Sequence, residues 1–331
     1  MKRRGRWCLR PVTQADLPKV RLFLRHFEYS GTALARLFVR RLAPEAPFDF
    51  TLPLRNFCFV LEYVPSEHSR AENADLFRFG LLNCVPSGTL YHCLPFMDAR
   101  TTGDKNFYFA AFSEQDKNDL RLLCAELLAQ QRFSCIMGTG QTGLFLEHIS
   151  ECDLSLRPKE TRPCTLMSLD TQEAEFLPLC RALEAHARRG LCFRRCTLSD
   201  CDKLFPLMQA YYEEEVLPAG AVLDNRALRV LLNGRLQNEV MYAAEDGTGN
   251  FIAAAGTTAL SMHCARIGGV YTLPAFRAEG IATALVSVLC AKLLHLRYTP
   301  VLFVRDINTA AGKLYAKPGF TARGPYRIAY F

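Results

Sequence analysis

Apolar residues recur at helical spacing near the start of each half of the chain, directly after a short strand-like run. Runs with the composition of β-strands then follow in both halves, at 56–63, 76–85 and 89–96 and again at 240–244, 251–260 and 266–273. The helical positions are Leu17, Val20, Phe23, Leu24 and Phe27 in the first half and Leu204, Leu207, Met208 and Tyr211 in the second. This pattern predicts mixed α/β structure in both halves.

The two openings also share residues in register. Cys8–Val20 reads CLRPVTQADLPKV and Cys192–Leu204 reads CFRRCTLSDCDKL, so that Cys, Arg, Thr, Asp and Lys recur at an offset of 184 residues. A second match pairs Ala33 with Ala227 at an offset of 194. A loop insertion between the two matching segments would produce this change of offset. We interpret the chain as two copies of one fold.

A strand, a short loop and a helix follow one another around residue 277. The strand-like run Arg266–Leu273 stops at Pro274, and the loop 277–280 leads into an apolar helix predicted over 281–297. Loop amides, a helix N-terminus and the Arg277 guanidinium together suit an anionic group, and Gly280 is small enough for a phosphate to approach. The alternative is an ordinary turn with a solvated arginine.

Two motifs in this half resemble those of the GNAT superfamily of N-acetyltransferases. The segment Arg277–Ala282 has the form R-x-x-G-x-A of the superfamily's pyrophosphate loop. One strand later the chain resembles its second motif, N-x-x-A-x-x-L-Y-x-K-x-G-F, with matches at Asn308, Ala311, Leu314, Tyr315, Lys317, Gly319 and Phe320. The resemblance covers 192–331 well and the first half weakly.

The resemblance implies an α/β (α+β) fold of tandem GNAT-like domains, each a mixed, mostly antiparallel twisted sheet flanked by helices. We expect a degenerate domain over 1–190 and a catalytic domain over 191–331. After Phe96 the sequence lacks R-x-x-G-x-A, so the first domain is not expected to bind coenzyme A. The segment Gly138–Gly143 has the form G-x-G-x-x-G, and we interpret it as a glycine-rich turn, not a dinucleotide site.

The resemblance also assigns a site for acetyl-CoA as cosubstrate. Main-chain groups of the strand end are expected to serve the pantetheine arm and the thioester: Val270, Tyr271, Thr272 and Leu273. The pyrophosphate is assigned to Arg277, Ala278, Glu279, Gly280, Ile281, Ala282 and Thr283. Asn308 is expected both to cap the following helix and to contact the coenzyme arm.

The motifs assign the catalytic residues less directly than they assign the acetyl-CoA site. Tyr315 stands where the superfamily keeps a general acid for the leaving thiolate, and Pro318 shortens the turn that follows it. We assign Glu214, within the run 213–215, to the substrate mouth, where it would attract a cationic amine, and include Asn308 in the catalytic set. A general base is left open among Glu214, Glu239, His263, Asp306 and ordered water.

Composition limits the classes of ligand, partner and cellular location that the protein is expected to have. The 331 residues include 40 Lys and Arg against 33 Asp and Glu, a dispersed excess that suits an anionic cosubstrate. The 14 cysteines form no C-x-x-C pair, so we expect reduced thiols and no metal. No secretion signal or membrane-length apolar run is present, which predicts a cytoplasmic protein with neither membrane nor nucleic acid as partner. The sequence leaves the oligomeric state open.

These observations predict an acetyl-CoA-dependent N-acetyltransferase in which a primary amine of a small molecule or peptide attacks the thioester directly. A second hypothesis is a non-catalytic acyl-CoA-binding or sensor module that uses the same loop. A third is a basic protein that binds nucleic acid through an arm at Lys2–Arg6.

Overall fold

The structure, a computed structural model, describes residues 6–40, 49–52, 57–64, 79–94, 113–170, 177–218 and 220–331. Its contacts form two compact units. The first unit comprises Met1–Phe38, Phe50–Leu166 and Gly324–Phe331, and the second unit comprises Val39–Asp49 and Met167–Arg323. The division into domains 1–190 and 191–331 stays a prediction. The two units have different boundaries, since the segment from Met167 belongs to the second unit and the last eight residues belong to the first.

From Arg6 to Ser168 the described elements run strand, two helices, three strands, helix, strand, helix and strand, with two-residue strands inserted after the second helix. They are β1 (Arg6–Pro11), α1 (Leu17–His26), α2 (Glu28–Phe38), β2 (Val39–Arg40), β3 (Asp49–Phe50), β4 (Phe57–Val64), β5 (Phe79–Cys84), β6 (Thr89–Cys93), α3 (Glu114–Gln130), β7 (Cys135–Thr139), α4 (Gly140–Leu154) and β8 (Glu160–Ser168). The stretch after Phe96, where a pyrophosphate loop would fall, lies outside the described residues.

The sheet of the first unit is mostly antiparallel. Strand β4 pairs with β1 and β5, β5 pairs with β6, and the β6–β7 pair is parallel. Residues Tyr326–Tyr330, the end of the last strand of the chain, pair antiparallel with β7. One face packs against α3 and α4 in a core that includes Trp7, Leu82, Leu146 and Ala329.

The expected glycine-rich turn at Gly138–Gly143 is wrong, because this segment continues from β7 into α4. Close packing accounts for its glycines. A Cβ at Gly138 would clash with the His92 ring, and one at Gly140 would lie 2.7 Å from Pro325. The sequence Leu144–Ile149 gave no clear helical signal because apolar residues occupy both faces of α4.

From Leu177 to the end of the chain, one additional helix precedes the same element order. The elements are α5 (Leu177–Arg188), β9 (Cys192–Arg195), α6 (Cys201–Tyr211), α7 (Asn225–Asn238), β10 (Met241–Glu245), β11 (Phe251–Leu260), β12 (Cys264–Thr272), α8 (Ile281–His295), β13 (Thr299–Arg305), α9 (Thr309–Ala316) and β14 (Thr321–Tyr330). Helix α8 is almost entirely apolar and packs on the sheet through Ile281, Leu285, Leu289 and Leu293.

The sheet of the second unit opens where the candidate site lies. Strand β10 pairs antiparallel with β9 and β11, and β11 pairs antiparallel with β12 through two irregularities. Strands β12 and β13 are parallel, but they pair only over Cys264–Arg266 and Thr299–Val301. The remaining six residues of β12, as far as Thr272, therefore diverge from β13 and leave main-chain groups on the facing edges.

The repeated openings form the same side-chain contacts in both copies. Arg10 binds Asp16 at 2.7 Å and Glu62 at 2.7 Å. Arg194 binds Asp200 at 2.8 Å and Glu245 at 2.5 Å. Each aspartate also closes a capping box with the threonine three residues before it, Thr13 or Thr197. The interpretation of two copies of one fold thus extends from sequence and element order to individual ion pairs. Among the described helices, none is long and apolar enough to cross a bilayer.

Candidate functional site

The loop between β12 and α8 has an unusual backbone. A short 3-10 turn, Pro274–Phe276, follows β12, and the chain then reaches α8 through Ala278 and Gly280, with φ values of +65° and +81°. Gly280 is the N-cap of α8 and has no side chain to accept from its first amides. The first turn of a helix has amides without intrahelical partners, so this end of α8 presents hydrogen-bond donors and partial positive charge.

Arg277 is folded back onto the end of β12. Its Nε donates to the Thr272 carbonyl at 2.9 Å, its Nη2 donates to Glu214 Oε2 at 2.7 Å, and its guanidinium lies 5.3 Å from the Tyr271 ring centroid. The Tyr271 hydroxyl donates to the same Glu214 oxygen at 2.8 Å. The Arg277 side chain is still 43% exposed, so an incoming anion can reach it.

A π-helical turn, Tyr212–Val216, brings Glu214 to this place. Such turns insert an extra residue into a helix and are frequent at functional sites. The three glutamates of the run have different contacts: Glu213 accepts from Gln209 at 3.2 Å, Glu214 binds Arg277, and Glu215 accepts from Arg305 at 3.0 Å. The hydrogen bond from Arg277 holds the pKa of Glu214 below its usual range, so Glu214 is ionised and a weakened base in this arrangement.

Tyr315 lies on α9 and is 9% exposed. Burial raises the pKa of its phenol well above the ordinary value, and neighbouring Tyr211 and Glu215 raise this pKa further. The phenol therefore stays protonated at neutral pH and can act as a hydrogen-bond donor. Tyr315 also has a packing role, because its ring lies edge-on against that of Phe320, with the ring centroids 6.0 Å apart.

Asn308 caps α9, as predicted: its Oδ1 accepts from the Ala311 amide at 3.0 Å. The side-chain amide nitrogen is not used in this cap. Helix α9 ends at Ala316, two residues before Pro318, in keeping with the shortened turn expected there.

Sequence reasoning missed two side chains next to β12, Arg235 and Tyr211. Arg235 Nη2 donates to the carbonyls of Thr257 at 3.1 Å and Gly268 at 3.3 Å, and a Cβ at Gly269 would lie 3.0 Å from its Nη1. Burial raises the pKa of Tyr211, and a hydrogen bond from the Gly269 amide partly offsets this rise. The signal in the sequence was the pair Gly268-Gly269, since glycines inside a strand mark bulges and close approaches.

The other three base candidates differ in position: one is buried and hydrogen-bonded, one lies at the far end of β12, and one is exposed at the end of β13. Glu239 is 3% exposed and accepts from the Thr257 hydroxyl at 2.6 Å. His263 precedes the first residue of β12, at the end of the strand opposite to the loop. Asp306 follows β13 and is exposed.

The residues around the loop fit the diphosphate and arm of an acyl-CoA. The Thr272 hydroxyl is buried, and within the described part of the chain its oxygen has no hydrogen-bond partner. Gly280 leaves room above the N-terminus of α8, and Arg277 is accessible beside it. Ile281 is one of the predicted loop residues, but its side chain is buried in the core, so only its main-chain amide can contact the ligand. The remaining predicted positions, which lie along the end of β12, the loop and the first turn of α8, are Val270, Leu273, Ala278, Glu279, Ala282 and Thr283.

Comparison with known proteins gives the family of this segment. Residues 201–320 match the Acetyltransferase (GNAT) family. A Drosophila protein of known structure has 14% identity and a TM-score of 0.57, and the alignment covers 98% of each chain. This similarity shows a shared fold over the whole chain. No curated protein matches the chain in sequence.

Two further solved structures are similar over part of the chain. A protein of the GNAT family from Novosphingobium aromaticivorans has 21% identity and a TM-score of 0.39, with 52% of this chain and 65% of that one covered. A protein from Clostridium acetobutylicum, described as a predicted acetyltransferase with acetyl-CoA, has 21% identity and a TM-score of 0.34, with 40% of this chain and 90% of that one covered.

The C-terminal half of the chain therefore contains a GNAT acetyltransferase domain, as predicted. The predicted fold class, mixed α/β with mostly antiparallel sheets flanked by helices, is confirmed as well, by the repeated element order and the whole-chain similarity of fold. The family supports acyl transfer from an acyl-CoA as the general chemistry.

Proposed function

We propose that the protein is an acetyl-CoA-dependent N-acetyltransferase that acts on a primary amine of a small molecule or peptide. One observation carries the proposal: the uncapped N-terminus of α8, with Gly280 at φ +81° and Arg277 beside it, stands at the point where β12 has diverged from β13. An anion-binding helix end next to an open strand edge suits a ligand with a diphosphate and an extended amide-containing arm.

Each part of the loop has a separate task in this proposal. The amides at the start of α8 and the Arg277 guanidinium hold the diphosphate, with Thr283 adding a hydroxyl. The main-chain groups of Val270–Leu273 that are not already bonded serve the arm and fix the thioester beside the substrate amine. The Leu273 amide donates to the Ile252 carbonyl, and the Thr272 carbonyl accepts from Arg277. Positioning of this kind lowers the barrier of a two-substrate reaction by several kcal/mol.

The reaction is a direct transfer. The lone pair of a neutral amine attacks the thioester carbonyl carbon, the carbon–sulfur bond breaks, and the sulfur leaves as a thiolate. Tyr315 is protonated and donates to that sulfur, and Asn308 orients α9, which carries Tyr315. A proton leaves the amine nitrogen through ordered water, since the pKa of Glu214 is lowered while Arg277 is bound to it.

Glu214 and Glu215 shape the amine side. Both carboxylates are neutralised by arginines, so a cationic group enters by displacing Arg277 or Arg305. We assign them to substrate attraction. The proposal also includes predictions made from the sequence alone. The first half of the chain is a degenerate domain that is not expected to bind coenzyme A, the location is cytoplasmic, and no metal, membrane or nucleic acid is a partner.

A panel of amines assayed with acetyl-CoA, alongside direct measurement of acetyl-CoA binding, tests the proposal. Turnover with a primary amine and intersecting initial-rate lines are expected. Parallel, ping-pong lines would contradict direct transfer. Tight acetyl-CoA binding without turnover across the panel would favour the second hypothesis, an acyl-CoA sensor, which the weakened basicity of Glu214 supports.

A further inference from the structure

Helix α5 stands outside the element order that the two halves of the chain share, and its last turn carries a buried histidine. His186 is 7% exposed, and its ring packs edge-on against Phe193 at 5.6 Å. Its Nδ1 is buried and has no hydrogen-bond partner among the described residues. An imidazole nitrogen buried without a partner is costly, so it calls for an explanation.

The other nitrogen of this ring points to the acyl-CoA loop. A Cβ built on Gly280 would lie 3.9 Å from His186 Nε2, closer than any other atom outside the glycine's own chain neighbours. Gly280 is the N-cap of α8. The imidazole therefore stands beside the same helix N-terminus whose amides are without a side-chain cap.

Charges on both elements surround this histidine. Arg189, one turn after His186, forms an ion pair with Glu279, the residue before Gly280. Burial lowers the pKa of His186, the Arg189 charge lowers it further, and the Glu279 charge raises it in part. The ring is thus neutral at pH 7 when Gly280 has no anion beside it.

We propose that His186 is a further binding residue for the diphosphate and that it takes up a proton when the diphosphate binds. The inference rests on the proposed function, because it uses the same loop. Phosphoryl oxygens beside Gly280 reverse the local charge balance, which favours the imidazolium and supplies an N–H donor to the ligand. Binding then transfers one proton from solvent to a ring nitrogen, and no bond in the ligand breaks.

Dephospho-CoA is the probe, because its diphosphate diester stays fully ionised across neutral pH and it lacks the 3′-phosphate, which titrates there. Binding is measured by calorimetry at about pH 7 in two buffers of different ionisation enthalpy, which gives the number of protons taken up. The variants are His186→Gln, which retains a neutral donor, and His186→Phe, which retains only the ring packing. His295→Gln, at the exposed far end of α8, is the matched control.

We expect proton uptake by the unsubstituted protein and by His295→Gln, and none by His186→Gln or His186→Phe. Affinity for dephospho-CoA should weaken about three- to tenfold in His186→Phe, and in the unsubstituted protein it should fall as the pH rises from about 6 to 8. Equal uptake and equal affinity in His186→Gln and the unsubstituted protein would overturn the inference and leave the proposed function intact. If the unsubstituted protein bound neither dephospho-CoA nor acetyl-CoA, both would fall.

Discussion

Glu214 Oε2 lies 2.7 Å from Nη2 of Arg277, across 63 residues of sequence, and so joins the substrate side of the site to the loop assigned to the diphosphate. Both side chains are about two-fifths exposed, at 43% for Arg277 and 41% for Glu214. An exposed pair of this kind contributes about 0–1 kcal/mol to stability. The contact is therefore weak enough for a diphosphate to displace, and its main consequence is for ligand binding.

Glu214→Gln should tighten acetyl-CoA binding by about two- to fivefold, because the carboxylate no longer competes with the diphosphate for Arg277. The same change should raise KM for a cationic amine. Isothermal titration with acetyl-CoA and initial-rate kinetics measure the two effects.

The matched control for this change is Glu213→Gln, since Glu213 contacts Gln209 and is not bonded to Arg277. It should change neither quantity. Weaker acetyl-CoA binding in Glu214→Gln alone would show that the carboxylate orients Arg277 for the ligand instead of competing with it.

Tyr315→Phe should lower kcat on the order of 10²-fold while acetyl-CoA affinity stays within about twofold, because only the donor to the leaving sulfur is removed. Burial raises the pKa of Tyr315 above its ordinary value, near ~10. The acid is the protonated form, present below the raised pKa, so the phenol should cause no loss of kcat up to about pH 10. Steady-state rates from neutral to alkaline pH measure both effects.

The ring of Tyr315 also packs in the core, and thermal unfolding of Tyr315→Phe provides the control for stability. A kcat within about threefold of the unsubstituted enzyme, in a variant that unfolds normally, would rule out an acid role for this phenol.

Gly280→Ala should weaken acetyl-CoA binding about tenfold and cost about 1–2 kcal/mol of stability. The cost arises because φ at this residue is +81°, a conformation that strains any residue with a Cβ. The nearest group to that Cβ is His186 at 3.9 Å, an ordinary contact, so backbone strain and the obstructed approach of the ligand account for the effect.

Gly234→Ala is the matched control, because a Cβ there meets nothing within 4 Å and Gly234 lies inside helix α7. It should stabilise the protein by up to about 1 kcal/mol and leave acetyl-CoA binding unchanged. Denaturant titration and calorimetry separate stability from affinity. Equal affinities of the two variants would contradict a close approach of the ligand at Gly280.

Asp200→Asn should lower the free energy of unfolding at pH 7 by about 2 kcal/mol. Hydrogen bonds from Arg194 lower the pKa of Asp200 to about 2, against ~3.9 for an unperturbed aspartate. The stabilisation is fully present above about pH 4 and is lost as the pH falls through about 2, so the two proteins should converge in acid.

Asp202→Asn is the control two residues away, since the Asp202 side chain is 86% exposed and its ion pair with Arg229 lies on the surface. It should change stability by less than about 0.5 kcal/mol. Urea titrations at pH 7 and in acid give both values. A difference between Asp200→Asn and the unsubstituted protein that does not shrink in acid would assign the effect to packing.

Local sequence was sufficient to predict the loop and the cap of α9. Pro274 ends a strand, Gly280 allows a left-handed backbone and Asn308 caps a helix, and each of these effects depends on a few adjacent residues. The motif around Tyr315 also depends on residues close together in the chain, and it was sufficient to predict the order of the strand and helix elements around it. In the second half, the predicted ends of 240–244, 251–260, 266–273 and 281–297 agree with the structure within two residues.

Contacts between distant segments could not be predicted in this way. The bond between Glu214 and Arg277 depends on a π-helical turn that has no sequence signature. His186 reaches Gly280 only because α5 packs on α8. The segment Gly138–Gly143 was misjudged because its glycines serve packing against His92 and Pro325, partners far away in the chain.

Acetyl-CoA binding by a protein with both Arg277→Glu and Gly280→Trp tests the central claim most directly, with Arg229→Glu as a charge-matched control on the exposed surface of α7. The account predicts that the double variant, still folded by circular dichroism, loses acetyl-CoA affinity by about 100-fold or more while the control binds normally. Full affinity in the folded double variant would contradict the assignment of the α8 N-terminus to the diphosphate, and with it the proposed activity.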